Sequence, residues 1–384
     1  MNKNKRIIAS LLAAVMLTTC FAVMNVSAMF VSPVEFDENN IILKTGVMTD
    51  THFNVDNTTN DPRVKKAITE IQKLAGGAEN LDAITISGDI TDWKPDQDIL
   101  RADKVFKEVL DPKNTELVMA IGNHDVYNSK GNGTQYNFFR DSTGDFTYKK
   151  PVEENTPDEI TSGNYHTVIN GVHFLTVYGI DGNHPQASIN WLDKHLKIAT
   201  DDAPDKPAIV ITHVIPSDTV YGSTPNERWS STTIGPVLSK YPQSVVIAGH
   251  SHNTIVPETT LWQENYTAIH AGVVSSSRSN FAYMEIDKNG NVRYSRYYLN
   301  DGNTAPSKVK ETFTFKTMKS AADATYSKTN RVAGKTLPYF EDSRKSYTVS
   351  MNQVFNTGTA IATFDTAVDE DMVYAYTLKI REKS

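Results

Sequence analysis

Five short apolar stretches, each followed within two residues by glycine or by a side chain of a kind that can bind metals, constrain this chain more than any other feature of its sequence. The stretches are rich in valine and isoleucine and bounded by turn residues, which is typical of buried strands in an α/β sheet. They cover residues 41–48, 83–87, 117–121, 208–212 and 245–248. Because ligands of such sheets gather at the carboxyl ends of the strands, we expect the polar groups that follow to converge on one point.

The residues after these strands are of the kinds that hold divalent cations. In chain order they are Asp50-Thr-His52, Gly88-Asp89, Gly122-Asn123-His124-Asp125, His213 and Gly249-His250-Ser-His252. Carboxylate, amide oxygen and imidazole suit ions such as Mn, Fe, Zn or Mg. One carboxylate can bridge two metals about 3.5–4 Å apart, and such a pair activates a water and neutralises phosphate oxygens. The sequence therefore predicts two divalent or transition metal ions side by side.

These five blocks, in this order, resemble the signature of the calcineurin-like metallophosphoesterase superfamily, and they extend from Asp50 to His252. The resemblance implies an α/β fold in which two facing mixed β-sheets are flanked by helices, giving four layers. It also implies a metal-dependent phosphoric ester hydrolase that acts on a small phosphate ester. The expected reaction is in-line attack by a hydroxide shared between the two metals.

The resemblance also assigns roles to individual residues. Asp89 is implied to bridge the two ions. The other implied ligands are Asp50, His52 and His252 for one ion and Asn123, His213 and His250 for the second. His124 is implied to donate a proton to the leaving oxygen or to stabilise its charge, and Asp125 is implied to orient the His124 ring.

Five further histidines lie outside the pattern, and we expect each to be structural or at the surface. They are His166, His173, His184, His195 and His270. His270 stands apart because it is near the end of the next predicted strand, residues 266–271. Asp92 is expected either to support the site or to cap a helix.

Two comparisons within the superfamily narrow the activity. Purple acid phosphatases place a metal-binding tyrosine three residues after the bridging aspartate, where this chain has Asp92. The 5′-nucleotidases carry a large C-terminal nucleotide-binding domain, and the roughly 80 residues available here make that activity doubtful. By analogy we expect phosphodiester cleavage, with phosphomonoester cleavage at the same site as the alternative. A catalytically inactive cell-surface binding protein is a further alternative.

The amino terminus predicts export. A basic start, an uncharged apolar stretch from Ile7 to Met24 and a small-residue exit at Ala28 are typical of a secretory signal peptide. An uncleaved anchor and a lipid-modified Cys20 are the alternatives. After cleavage we expect no membrane span and a secreted or extracellular protein. Because Cys20 is the only cysteine, a bacterial origin is favoured for such a disulfide-free protein.

The net charge of −7 becomes more negative when the basic start is removed, which argues against an electrostatic grip on nucleic acid. We divide the chain into a signal peptide (1–28), a leader (29–40), the metallophosphoesterase domain (41–303) and a small, mostly β C-terminal region (304–384) that allows cell-wall association. Within these regions the predicted helices are 61–75, 96–110, 186–199 and 230–241, and residues 308–333 are weakly helical. Residues 131–164 are predicted to form a loop insertion that carries substrate selectivity.

Overall fold

In a computed structural model of the protein, the described residues are 34–127, 163–220, 222–223, 229–252, 260–276, 279–299, 307–327, 347–354 and 357–364. The predicted signal peptide and nearly all of the predicted loop insertion lie outside the described residues. The chain divides into two compact units, one of residues 31–327 and one of residues 1–30 with 328–384.

Strands dominate the described part of the chain. In chain order they are β1 (Ile41–Met48), β2 (Ala83–Ser87), β3 (Glu116–Ala120), β4 (Tyr165–Ile169), β5 (Val172–Val177), β6 (Ala208–Thr212), β7 (Ile215–Pro216), β8 (Ser230–Ser231), β9 (Ser244–Ala248), β10 (Leu261–Gln263), β11 (Thr267–His270), β12 (Asn280–Asp287), β13 (Asn291–Tyr298), β14 (Lys308–Lys316), β15 (Tyr347–Val354) and β16 (Thr357–Phe364). The α-helices are α1 (Asp61–Ala75), α2 (Pro95–Val109), α3 (Asn123–Val126), α4 (Gln186–Asp202) and α5 (Gly235–Leu238).

The larger unit contains two six-stranded sheets of mixed direction. The first has the order β14-β13-β12-β1-β2-β3, and β1, β2 and β3 run parallel. The second has the order β10-β11-β9-β6-β5-β4, and β5, β6, β9 and β11 run parallel. All five strands predicted to lead into the site therefore lie in the parallel parts of the sheets, whose carboxyl ends share one edge.

Three buried apolar clusters divide the larger unit into layers. One lies between the sheets and includes Val47, Phe174 and Ile247. A second joins the outer face of the first sheet to α1 and α2, and a third joins the outer face of the second sheet to α4 and α5. Because both faces of each sheet are covered, the parallel strands are largely buried and mostly apolar. The predicted four-layer arrangement of two sheets between helices is confirmed.

Three predicted helices are confirmed with small shifts at their ends, namely α1, α2 and α4. The prediction of a helix over 230–241 is wrong. Ser230–Ser231 forms β8, which pairs with β7, and only Gly235–Leu238 is helical. Pro236 falls inside the predicted span and lacks the amide hydrogen that a helix interior needs, so it can only begin a short helix.

The weakly helical character predicted for 308–333 is wrong at its start, because Lys308–Lys316 is β14 and pairs antiparallel with β13. Phe313 and Phe315 alternate with polar residues and are buried, which is the two-residue period of a strand. The first sheet therefore continues past residue 303, the predicted end of the metallophosphoesterase domain. In the second unit, β15 and β16 form an antiparallel hairpin.

Among the described residues, no helix combines the length and the apolar character needed to cross a bilayer.

Candidate metal centre

The polar residues predicted from the sequence meet where the carboxyl ends of the two sets of parallel strands approach each other. Main-chain hydrogen bonds join the segments there: His213 O accepts from Gly249 N at 3.1 Å, and Gly88 O accepts from Asp50 N at 3.1 Å. Ser87 Oγ also donates across the sheets to Ile247 O at 3.2 Å. These bonds fix the ends of β1, β2, β6 and β9 relative to one another before any side chain is considered.

The first group of side chains comprises Asp50, His52, Asp89 and His252, whose ligand atoms lie within 4.8 Å of one another. His252 Nε2 lies 2.9 Å from Asp50 Oδ1, and His52 Nε2 lies 3.8 Å from Asp89 Oδ2. The Nε2 atoms of His52 and His252 approach to 3.2 Å. Two imidazoles and two carboxylates thus face one small volume, as a four-ligand site for a cation requires.

The second group comprises Asp89, His213 and His250, again with ligand atoms within 4.8 Å of one another. Asn123 joins it, since its Oδ1 lies 3.0 Å from His213 Nε2. His213 Nδ1 donates to Ser87 O at 2.8 Å, so Nε2 is the ring atom that would bind an ion. Asp89 belongs to both groups, which is the arrangement that a bridging carboxylate needs.

Five residues of the two groups have a left-handed backbone. The φ angles are 51° for Asp50, 44° for His52, 48° for Asp89, 69° for His250 and 51° for His252. Residues other than glycine rarely adopt this conformation, which costs on the order of 1–3 kcal/mol each and persists only where the surroundings enforce it. The strand ends therefore turn sharply at the positions whose side chains face the centre.

Glycines in the blocks allow close approach of the carboxylates to the main chain. A Cβ at Gly122 would collide with Asp89, and one at Gly249 would collide with Thr49 and Asp50. Because glycine leaves this space, His124 N donates to Asp89 Oδ1 at 2.9 Å and His250 N donates to Asp50 Oδ2 at 3.1 Å. The outer oxygen of each carboxylate is thus held by the main chain, which leaves the other oxygen for the centre.

The electrostatics of the site suit bound cations. Asp50 and Asp89 are buried, and among the described residues only imidazoles form ion pairs with them. Burial of the His213 ring opposes its protonation, but the charges of Asp89 and Asp50 outweigh burial and raise the pKa of His213 to about 9. His213 thus supplies positive charge beside the two carboxylates, and a divalent ion would replace its proton.

The structure corrects the expected partner of His124. Asp125 does not contact the His124 ring among the described residues: its Oδ1 accepts from Thr91 N and Oγ1 at 2.8 Å, and its Oδ2 accepts from Gly122 N at 2.8 Å. Burial and the negative charge of Asp89 raise the pKa of Asp125 to about 6. Asp125 therefore holds the loops together, because α3 turns its side chain inward to the main chain.

Asp92 contacts the His124 ring instead. Asp92 Oδ1 lies 3.3 Å from His124 Nδ1 and 3.7 Å from His52 Nδ1, so one carboxylate faces two rings of the site. Asp92 does not cap α2, because the N-cap position of that helix is Lys94, whose side chain makes no capping hydrogen bond. Of the two roles expected for Asp92, support of the site is the one that the structure favours.

A cavity of about 310 Å³ opens over the two groups. Its described lining residues are Asp89, Asn123, His124, Tyr127, Asp181, Trp229, His250, Ser251 and His252. Tyr127 Oη donates to Asp181 Oδ1 at 2.7 Å. Two exposed indoles flank the centre: Trp93 lies 5.1 Å from the His124 ring and Trp229 lies 4.7 Å from the His250 ring, between ring centroids. Sequence reasoning missed both, although each tryptophan stands in a polar segment with no core pattern around it.

Four of the histidines outside the pattern form hydrogen bonds in the interior, away from the two groups. His166 Nδ1 lies 2.9 Å from His195 Nδ1, and its Nε2 lies 2.8 Å from His173 Nδ1. His184 bonds to Ser231 and Thr212 at 2.8 Å each. The fifth, His270, bonds to a residue of the cavity, because its Nε2 lies 2.6 Å from Ser251 Oγ.

Comparison with known proteins gives the following matches. A sequence model described as calcineurin-like phosphoesterase matches residues 43–254, more than half of the chain. Among solved structures, a purple acid phosphatase from seeds of yellow lupin (Lupinus luteus) is similar with a TM-score of 0.48 and 14% identity, over 71% of this chain and 53% of that chain. A 5′-nucleotidase from Candida albicans gives a TM-score of 0.41 and 14% identity, over 70% and 54%.

A protein serine/threonine phosphatase from Saccharomyces cerevisiae gives a TM-score of 0.29 and 12% identity, over 75% of this chain and 85% of that chain. The chain spans about half the length of the lupin and Candida proteins. A search of curated proteins found no match.

Proposed function

The chain belongs to the calcineurin-like phosphoesterase family, and from that premise we propose that it is a secreted phosphodiesterase with two metal ions. Its family makes it a metal-dependent hydrolase of phosphate esters. The pairing of two ions, the preference for diesters and the export of the protein are the further parts of this proposal.

The observation that carries the two-ion proposal is the sharing of Asp89 by two groups of ligand atoms. Asp50, His52 and His252 would hold one ion with Asp89, and Asn123, His213 and His250 would hold the other. Oxygen and nitrogen donors of this mixture suit Mn, Fe, Zn or Mg, and no cysteine lies among the described residues. When bound, the ions would supply Lewis acidity toward the phosphate oxygens and an activated water.

The chain's own residues would orient the ester and manage the leaving group. His124 lies at the edge of the first group, 4.7 Å from the His52 ring between centroids, and it lines the cavity. Its imidazole is placed to donate a proton to the departing oxygen, as a general acid does. Asp92 would hold the ring through Nδ1, which lies 3.2 Å from the main-chain oxygen of Asp92 and 3.3 Å from its carboxylate, and Nε2 would then act toward the cavity.

Charge and shape at the cavity support a diester rather than a monoester. The described lining includes the carboxylate of Asp181 but no lysine or arginine that would offset the second negative charge of a monoester. Trp93 lies beside His124, and Trp229 lies beside His250 and lines the cavity. Each can cover an apolar group, and a diester carries two organic groups where a monoester carries one. Phosphomonoester hydrolysis at the same site is the alternative.

Export and surface association complete the proposal and rest on the sequence. Residues 1–28 have the pattern of a signal peptide, which supports a secreted or cell-surface protein of bacterial origin. Cell-wall association through the C-terminal region is supported only by its mostly β pattern. Detection of the mature protein, cleaved after Ala28, in the culture medium tests the export proposal.

Metal analysis combined with turnover tests the catalytic proposal. We expect the purified or Mn-reconstituted protein to bind two ions per chain and to hydrolyse bis-p-nitrophenyl phosphate faster than p-nitrophenyl phosphate. Hydrolysis of the monoester alone would support the phosphomonoesterase alternative. Protein that binds metal but cleaves neither ester would support the inactive binding protein.

A further inference from the structure

We propose that Ser251 donates a hydrogen bond from its hydroxyl to the phosphate in the cavity, and that the buried His270 is a positioning residue that directs it. The inference rests on the proposed function, because it concerns how the same site holds its ester. It assigns a role to the residue between the two histidines of the last block. The juxtaposition of Gly272, His270 and Ser251 carries it.

The main chain fixes the tautomer of His270. Gly272 N donates to His270 Nδ1 at 3.0 Å, so Nδ1 presents its lone pair and the ring proton resides on Nε2. His270 is buried, and burial lowers its pKa to about 4, in keeping with a neutral ring. The tautomer thus follows from a main-chain donor, whatever occupies the cavity.

The direction of the next hydrogen bond then follows. His270 Nε2 lies 2.6 Å from Ser251 Oγ, and because Nε2 carries the proton it donates and the hydroxyl oxygen accepts. The hydroxyl hydrogen of Ser251 must point elsewhere. No second side-chain bond to Ser251 Oγ is present within the described parts of the chain.

Ser251 lines the cavity together with His250, His252 and Asp89. The left-handed backbone at His250 and at His252 bends the chain on both sides of Ser251. All three consecutive residues line one cavity, although alternate residues of an extended strand face opposite ways. A hydroxyl donor beside two cation-binding imidazoles is placed to meet a phosphate oxygen.

Substitution of Ser251 gives the primary test. In S251A, we expect inorganic phosphate to bind the Mn-loaded protein about 10- to 100-fold more weakly by calorimetry, the loss typical of a hydrogen bond to a charged group. The metal content should stay at the wild-type value. S251T keeps the hydroxyl and should bind phosphate nearly as wild type does. S239A, which removes an exposed hydroxyl on the surface, is the matched control.

Substitution of His270 tests the positioning role. H270Q keeps a neutral donor toward Ser251 and should stay close to wild type, whereas H270F should weaken phosphate binding about as much as S251A. In the S251A background, H270F should add little further loss, since both changes remove one interaction. A merely structural His270 would instead add its full loss in that background, and a thermal melt of each variant would register it.

The outcomes separate the two proposals. S251A that binds phosphate within twofold of wild type, with its metal intact, would overturn the inference even if the enzyme cleaves diesters. The wild-type protein could instead cleave no ester, while S251A binds phosphate more weakly and S251T does not. The inference would then stand, and the proposed function would fail.

Discussion

Asp89 Oδ2 lies 3.2 Å from His213 Nε2, while the same oxygen lies 3.8 Å from His52 Nε2. One carboxylate oxygen therefore faces a histidine from each of the two sheets. The Asp89 backbone is left-handed with φ of 48°, so the side chain is aimed by a turn that few residues adopt.

Asp89→Asn should abolish phosphodiester hydrolysis and lower the number of bound metal ions per chain, because an amide offers a single weak oxygen where two ions would share a carboxylate. Elemental analysis and turnover after Mn reconstitution check this. Asp193→Asn makes the same chemical change at the surface, where Asp193 pairs with Lys240, and should leave both unchanged. Full metal content with full activity in Asp89→Asn would remove the bridge from the mechanism.

His124→Ala should keep both metal ions and lower kcat by about 10²–10⁴-fold, the range for loss of a general acid. The decrease in kcat should be largest for esters with poor, weakly acidic leaving groups and smallest for p-nitrophenyl esters, whose leaving group needs little protonation. A series of aryl and alkyl diesters measures this dependence. Loss of metal in the variant would instead make His124 a ligand.

Asp92→Asn should affect mainly kcat and Asp125→Asn mainly the melting temperature, because the two carboxylates have different partners. Asp92 lies beside the rings of His124 and His52, so its loss should lower kcat about 10- to 100-fold with little change in melting temperature. Asp125 accepts main-chain bonds from Thr91 and Gly122, so its loss should lower the melting temperature. Thermal melts and turnover of both variants check the contrast, and equal effects on kcat would contradict it.

The acid sensitivity of folding should depend on His166. Burial, with His173 and His195 beside it, lowers the pKa of His166 to about 2, whereas the ring in the unfolded chain titrates near 6.5. Below pH 6.5 the ring binds a proton in the unfolded chain but not in the folded one. As the pH is lowered, the free energy of unfolding contributed by this ring therefore falls by at most about 1.4 kcal/mol per pH unit. Above pH 6.5 the contribution is complete.

His166→Gln keeps a donor and an acceptor but does not titrate, so its free energy of unfolding should fall less steeply between pH 6 and pH 4.5. Urea denaturation of both proteins, with a chelator present, measures the two slopes. The metal ligands titrate equally in both proteins and cancel in the comparison. Equal slopes would show that His166 is protonated in the folded chain.

Trp229→Ala should raise the KM for diesters by about 2- to 10-fold, the loss expected for one aromatic contact, and should change the KM for monoesters less. Steady-state kinetics with a matched diester and monoester checks this. Leu100→Ala removes another exposed apolar side chain, on α2, and serves as the control. An equal effect on both esters would argue against a separate contact for the second organic group.

The strands that lead to the centre could be predicted because each is a local pattern, an apolar run followed by a polar residue. Residues such as Asp50, Asn123 and His213 were therefore placed correctly at strand ends. The partner of His124 could not be predicted, because Asp92 and Asp125 are both close in sequence to residues of the site and only the path of the chain selects one.

Other predictions were wrong or missing for related reasons. Helical periodicity over 230–241 was overridden by the pairing of β8 with β7, which involves residues far apart in sequence. Alternation of Phe313 with Phe315 was present in the sequence, yet the neighbouring polar composition obscured it. Trp93 and Trp229 carry no periodic pattern at all, so only coordinates place them beside the histidines.

The left-handed backbone at Asp50, His52, Asp89, His250 and His252 has an evolutionary consequence. Glycine adopts this conformation without steric penalty, so these positions oppose the stability of the fold for as long as a side chain is required there. Selection for catalysis must continually retain them. In a descendant that had lost catalysis, drift toward glycine would relieve this strain, most directly at the three histidines, because the carboxylates of Asp50 and Asp89 also accept main-chain hydrogen bonds.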